Sequence, residues 1–502
     1  MIAGRNLLWA VVWIAVSGLS YAGGVTVITH GLNGQVDGWL LSMCRSLSVH
    51  PRVPGTNASI YRVSVTRPSG SYVVTASSEK VNQPMNPSGE IIVAVDWSTI
   101  AGLFQPSTAQ IAVPVASALR STTLIPELGG RPLVELPLHL VGHSRGASMM
   151  AEVARLLGAE GIWVDHLTLL DPYPSTLANS DPTLRNYANV FFTENFRQTY
   201  SFPDGVTLDG AYERILAGLT AGGYEAGAEH SDVHLWYHGT LDFRTPLTVD
   251  GVTISEAERT NWWTAMEARG VNAGFRYSLI GGGDRFLTND PAGSPGKVAD
   301  GINQVWDFGA GLSANRTALA VNNGAWPNVI QLMLRGRVLS EGALQAEARY
   351  QHGLTAADVA ELSLRLDPDL NPWNTNELVA GSVALPGTGT ASVGLCMAEI
   401  SPPEGIAPGE YHVLARTARG GLQRWYYAQE MVVSPPVLAN PDMAGNAFAF
   451  DLLGKAGWKV TIEESTDFET WTPARTNIMS SSAERVSVSA NGDRMFFRAV
   501  LE

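Results

Sequence analysis

Gly142-His143-Ser144-Arg145-Gly146 sets one serine between two glycines. A serine attacks an acyl carbon only where a base takes its proton, an acid orients that base, and N–H donors hold the developing oxyanion. With 51 glycines in 502 residues, a G-x-S-x-G pentapeptide arises by chance about 0.3 times in a chain this long. The flanks therefore carry the argument. Leu138, Leu140 and Val141 form a short apolar run of the kind found in a strand covered on both faces. Met149, Val153, Leu156 and Leu157 then recur at helical spacing until Gly158 supplies a stop. Ser144 falls on the corner between strand and helix, and Gly142 and Gly146 are the residues such a sharp turn needs.

A base must come from the ten histidines. His230, His234 and His238 cluster in "EHSDVHLWYHGTLD" at intervals of four, so they could share one helical face. That spacing also suits a metal, but no H-E-x-x-H glutamate or further ligand cluster accompanies it, so no metal and no cofactor is expected. Acids are more numerous. Asp171 precedes Pro172 and could equally cap a turn; Asp204, Asp209 and Glu194 are the alternatives around the next strand.

Further motifs follow a recognisable order: Thr29-His30-Gly31-Leu32-Asn33-Gly34, "VDW" at 95–97, "GHSRG", and "LLDPYP" at 169–174. In this order the chain resembles the pancreatic-type lipases of the α/β-hydrolase superfamily over residues 24 to 240, and as a whole it resembles secreted bacterial hydrolase-like proteins with C-terminal β modules. It departs from the lipases in Arg145, where leucine is common, in lacking their disulfides, and in a hairpin after the His-Gly loop. The resemblance implies Ser144 as nucleophile, Asp171 as acid and His230 as base, in the chain order Ser, acid, His. It implies an oxyanion hole made by the backbone N–H groups of Leu32 and Arg145.

The elements that must position these residues are legible as alternating patterns. Apolar runs at 25–31, 90–98, 137–144, 164–172 and 187–195 alternate with helical stretches, as in a parallel sheet with crossover helices. Residues 60–78 alternate with period two around Pro68-Ser69-Gly70, an antiparallel hairpin added to that sheet. The Gly-rich stretch between Pro172 and Glu229 reads as a lid, a wall of an acyl pocket, or a plain surface excursion. Beyond residue 311 short β-rich runs separated by Pro, Gly and Asn point to a β-sandwich. The expected architecture is an α/β-hydrolase catalytic domain (23–310), a β-sandwich (311–436) and a small β module (437–502). Residues 23–310 alone are expected to fold and keep activity.

Residues 1–22 pair Arg5 with an apolar run from Leu7 to Val16 and a small-x-small site at Ser20-Tyr21-Ala22, the pattern of a signal peptide. Export to the periplasm, the cell surface or the medium is expected. Two cysteines, Cys44 and Cys396, exclude a disulfide framework. A net charge of −14 argues against nucleic acid. Asp367, Asp369 and Asn371 alternate like calcium ligands, but Pro372 and Leu378 occupy positions that should be Gly and an acid, so an Asx-rich turn is expected. The functional expectation is a serine hydrolase of small-molecule or lipid esters. The alternative is a non-catalytic surface or carbohydrate-binding protein on an inherited scaffold, with polysaccharide contacts through its C-terminal β modules.

Overall fold

Continuous apolar runs become the centre of one sheet in the computed structural model. It describes residues 23–48, 58–81, 90–216, 219, 227–239, 247–249, 252–254, 275, 316–321, 326–339, 342–389, 393–444, 447–489 and 495–502. The expected signal peptide and the 310/311 boundary lie outside these residues.

The first half runs β1 (Val25–Thr29), α1 (Trp39–Leu47), β2 (Ser59–Thr66), β3 (Val73–Lys80), β4 (Ile91–Asp96), α2 (Thr108–Leu119), β5 (Leu138–His143) and α3 (Arg145–Ala159). It continues through β6 (Val164–Leu170), α4 (Thr176–Asn179), β7 (Val190–Arg197), β8 (Tyr212–Ile215) and α5 (Glu229–Gly239). Eight strands form one sheet in the order β3-β2-β4-β1-β5-β6-β7-β8. All pairs are parallel except the β2–β3 hairpin at the edge. Successive side chains point to opposite faces. Val27, Leu140 and Leu169 pack with Ile111 of α2 and Val153 of α3. Ile28, Val141 and Leu170 pack with Leu40 of α1 and Tyr237 of α5. Cys44 lies in that second layer, fully buried, and burial pushes its thiol far above the usual range.

A two-stranded ribbon of β9 (Leu247–Val249) and β10 (Val252–Ile254) precedes the β-rich half. There β11 (Asn328–Arg335), β12 (Leu344–Gln351), β13 (Val359–Asp367), β14 (Leu378–Pro386), β15 (Gly394–Ile400), β16 (Gly409–Arg419) and β17 (Leu422–Ser434) form two antiparallel sheets, β11-β12-β15 and β14-β13-β16-β17. Their inner faces bury Ala346, Ala348, Leu362, Leu364, Val413 and Ala415 in the manner of a sandwich. The last module pairs β18 (Val437–Ala444), β19 (Ala447–Leu453) and β22 (Ala483–Ser489) in one sheet. Its other sheet pairs β21 (Thr472–Ile478), β20 (Lys459–Ser465) and β23 (Phe496–Leu501). It has its own core around Phe450, Leu452 and Ile462.

The sandwich is bolted to the parallel sheet. Arg424 on β17 donates to Asp165 at the start of β6 (2.6 Å) and to Asn328 (2.7 Å), with both charges buried. Trp163 donates its indole N–H to Gln351 at 2.9 Å, and Gln423 donates to Glu135 at 3.1 Å. One apolar cluster runs through both units. The expectation that 23–310 stands alone thus meets a physical obstacle, because cutting the chain there strips Asp165 of its buried partner. Among the described residues no helix is long and apolar enough to cross a membrane.

Candidate functional site

The strands β1, β5 and β6 end side by side, and their C-terminal ends carry the residues flagged by chemistry. Ser144 sits between β5 and α3 at φ 55 and ψ −125, a conformation unfavourable for a residue with a Cβ. The flanking glycines are required by contact. A Cβ on Gly142 would stand 2.5 Å from the carbonyl oxygen of Gly146, and one on Gly146 would stand 2.1 Å from that of His30. Gly31 lies against the nucleophile itself, where a Cβ would meet the Ser144 Cβ at 2.6 Å.

Asp171 also takes a positive φ, 45°, directly after β6. Its Oδ2 is 2.6 Å from Nδ1 of His230, the second residue of α5. Its carboxylate accepts three further bonds, from Gln198 N and Gly205 N to Oδ1 (2.9 and 3.0 Å) and from Gln198 Nε2 to Oδ2 (3.1 Å). An acid so fixed can set the tautomer of the imidazole, with the proton on Nδ1 and Nε2 able to accept one. The rival acids sit elsewhere. Glu194 is 2.8 Å from His166 Nε2, buried between β6 and β7, and Asp204 and Asp209 are exposed.

His230, His234 and His238 share α5 but do not converge. His234 stacks on Trp39 at 4.1 Å and His238 Nε2 lies 2.9 Å from Ser46 Oγ. No group of three metal-binding side chains occurs among the described residues. The loop at Asp367, Asp369 and Asn371 likewise has its oxygens occupied. Asp369 N and Tyr427 OH donate to Asp367, Asn371 N and the amides of Asn374 and Asn376 donate to Asp369, and Trp373 N donates to Asn371. These bonds have the pattern of an Asx-rich turn.

Leu32 and Ser144 line one pocket with His230 and Arg145, of about 640 Å³. Its lining mixes apolar side chains, among them Trp39, Leu103, Tyr173 and Phe202, with the polar Gln35, Asp37, Ser175 and Ser231. The Arg145 amide opens helix α3 and so lacks an intrahelical partner. The loop bearing Leu32 is shaped by His30, whose Nδ1–H donates to the carbonyl oxygen of Gly31 at 3.0 Å while its ring stacks on Trp97.

Two features escaped the sequence reading. The Arg145 side chain is fully buried and forks onto Asp181 (2.7 and 2.9 Å), with further bonds to the carbonyls of Pro106 (2.6 Å) and Ala101 (3.4 Å). Asp181 in turn accepts from Thr108 N and Ser175 N, so the pair ties the loops that carry Leu103 and Tyr173 to the helix behind the serine. A buried arginine demands an acid, but nothing local names Asp181. The second is His143, whose Nε2 lies 2.9 Å from the carbonyl oxygen of His230.

No family model matches the chain, and no curated protein matches it. Solved structures that match include CBD12 from CALX1.2, at 10% identity over 34% of this chain and 81% of that one, with a TM-score of 0.12. A marsupial T cell receptor matches at 10% identity over 35% and 72%, with a TM-score of 0.14. At such scores neither likeness bears on fold or function. The expected membership of the α/β-hydrolase superfamily, and the resemblance to pancreatic-type lipases, is therefore corrected. No family model supports it, and the described residues are richer in strand (44%) than in helix (17%). Motifs of three to six residues were too short to carry a family.

Proposed function

We propose that the chain is a serine hydrolase of carboxylic esters, with an α/β catalytic domain followed by β modules. The observation that carries this reading is the Asp171–His230 pair at 2.6 Å, opening onto the pocket that holds a strained Ser144. Ser144 Oγ gives its proton to His230 Nε2 and bonds to the ester carbonyl carbon. The resulting oxyanion is held by the N–H groups of Leu32 and Arg145. Asp171 stabilises the imidazolium. Collapse of the intermediate expels the alcohol, which takes the proton from His230, and water then releases the acid by the same route. Leu103, Tyr173 and Phe202 in the lining suit an apolar acyl group, and Gln35, Asp37 and Ser231 a more polar alcohol. Export belongs to the same proposal and rests on the pattern of residues 1–22.

A second reading, binding of a surface or polysaccharide without catalysis, draws on the share of the chain given to antiparallel β units. Hydrolysis of p-nitrophenyl acyl esters by the full chain separates the two. The esterase reading expects release of p-nitrophenol that Ser144→Ala removes. Equal rates in both proteins, or none in either, would favour the binding role.

A further inference from the structure

His143 comes just before the nucleophile and is almost wholly enclosed, 7% exposed. Trp39 meets its ring edge-on at 5.9 Å, His234 at 4.8 Å and nearly perpendicular, and the ring of His230 at 4.8 Å. Stacking of Trp39 on His234 makes these two a single wall that leaves the His143 ring little freedom. A carbonyl oxygen can only accept, so the 2.9 Å contact with His230 O requires a proton on His143 Nε2. That ring donates to the main chain of the residue whose side chain must take the serine's proton. We propose that His143 is a positioning residue for ester hydrolysis: its Nε2–H holds the backbone of His230 and thereby sets where the imidazole stands relative to Ser144.

The arrangement links nucleophile and base through one residue. His143, the last residue of β5, is covalently joined to Ser144, while His230 stands on a separate element, α5. Asp171 fixes the tip of the His230 side chain from Nδ1, and His143 fixes the backbone from which it projects. Two anchors leave the imidazole only a small arc. Burial, with the charge of His230 as the lesser cause, presses the His143 pKa down to about 3. The anchor therefore stays neutral and adds no positive charge beside the imidazolium that forms during turnover.

The inference rests on the esterase reading, and its test distinguishes the two. In the full chain, His143→Phe keeps a ring in the Trp39–His234 wall and removes the donor, while His143→Gln restores an N–H on a side chain of similar reach. With a p-nitrophenyl ester, His143→Phe is expected to lower kcat about tenfold or more with KM within about twofold. A displaced base weakens the transition state and leaves ground-state binding alone. His143→Gln is expected to return kcat to within about threefold of the wild type. Wild-type kcat in His143→Phe, or an equal loss in a folded Gln variant, would overturn the proposal. Should the Phe variant not fold, the Gln variant decides by the same thresholds. An inactive wild type would remove the esterase reading, and the positioning role with it.

Discussion

At one edge of the parallel sheet the strands run out into Gly31, Ser144 and Asp171, two of them at positive φ, around an open pocket of about 640 Å³. At the opposite edge, where the strands begin, Asp165 near the start of β6 is locked to Arg424, sealed under the sandwich with Gln351, Asn328 and Glu135. Both edges bury charge, but they spend it differently. The closed edge holds its two opposite charges in direct contact, Arg424 on Asp165. The open edge holds strained residues, each costing of the order of 1–3 kcal/mol, which persist only where the surroundings over-determine them.

Substitutions should separate the edges, activity from stability. Ser144→Ala should abolish ester hydrolysis, and His230→Ala should lose nearly as much because the members of such a site act as a unit. Asp171→Asn should slow kcat by roughly 10³ to 10⁴ with the thermal melt little changed, since an amide cannot stabilise the imidazolium. An equal loss in a variant of Glu194, Asp204 or Asp209, with Asp171→Asn unaffected, would move the acid.

The closed edge should answer in the opposite sense. Arg424→Met leaves Asp165 buried without its partner and should cost about 3–5 kcal/mol in urea unfolding, with kcat of the folded fraction retained. Adding Asp165→Asn should recover much of that loss. A large fall in kcat at unchanged stability would dissolve the contrast between the edges.

Arg145 belongs to both behaviours, because its amide faces the pocket and its side chain is sealed. Arg145→Lys keeps the charge but not the fork onto Asp181. It should lower kcat/KM by about tenfold for esters with a long acyl group and less for acetyl esters. Uniform loss across acyl lengths would argue that the loops of Leu103 and Ser175 do not depend on this pair.

The smallest expected effect is on stability against pH. His143 is held at about 3 against an ordinary 6.5, and burial also lowers His234. Between those values the unfolded chain binds a proton that the folded chain refuses, so stability falls as pH falls through that window. The melting temperature should drop from pH 6.5 downward, and His143→Gln should flatten part of the slope. An unchanged slope would mean that His143 is protonated in the folded protein.

What the sequence made legible was local. Continuous apolar runs such as Val25–Thr29 and Leu138–His143 announce covered strands, and the period-two alternation of 60–78 announces the β2–β3 hairpin. Ser144 could be placed on a corner because strand and helix patterns meet there within a few residues. Pairings across the fold were not legible. Arg424 and Asp165 are 259 residues apart, and Arg145 gives no hint that Asp181 answers it. His143 was passed over because its partner is a backbone carbonyl, which every residue has. The motif order suggested a family that the chain as a whole does not support, since five residues encode a turn and not an ancestry.

The central claim is that Ser144 is activated by His230 and Asp171, and a fluorophosphonate probe reads activation directly, without a guess at the natural substrate. The account predicts rapid one-to-one labelling of the folded full chain on Ser144, absent in Ser144→Ala and strongly slowed in His230→Ala. Wild-type protein that stays unlabelled, or that labels no faster than His230→Ala, would contradict it.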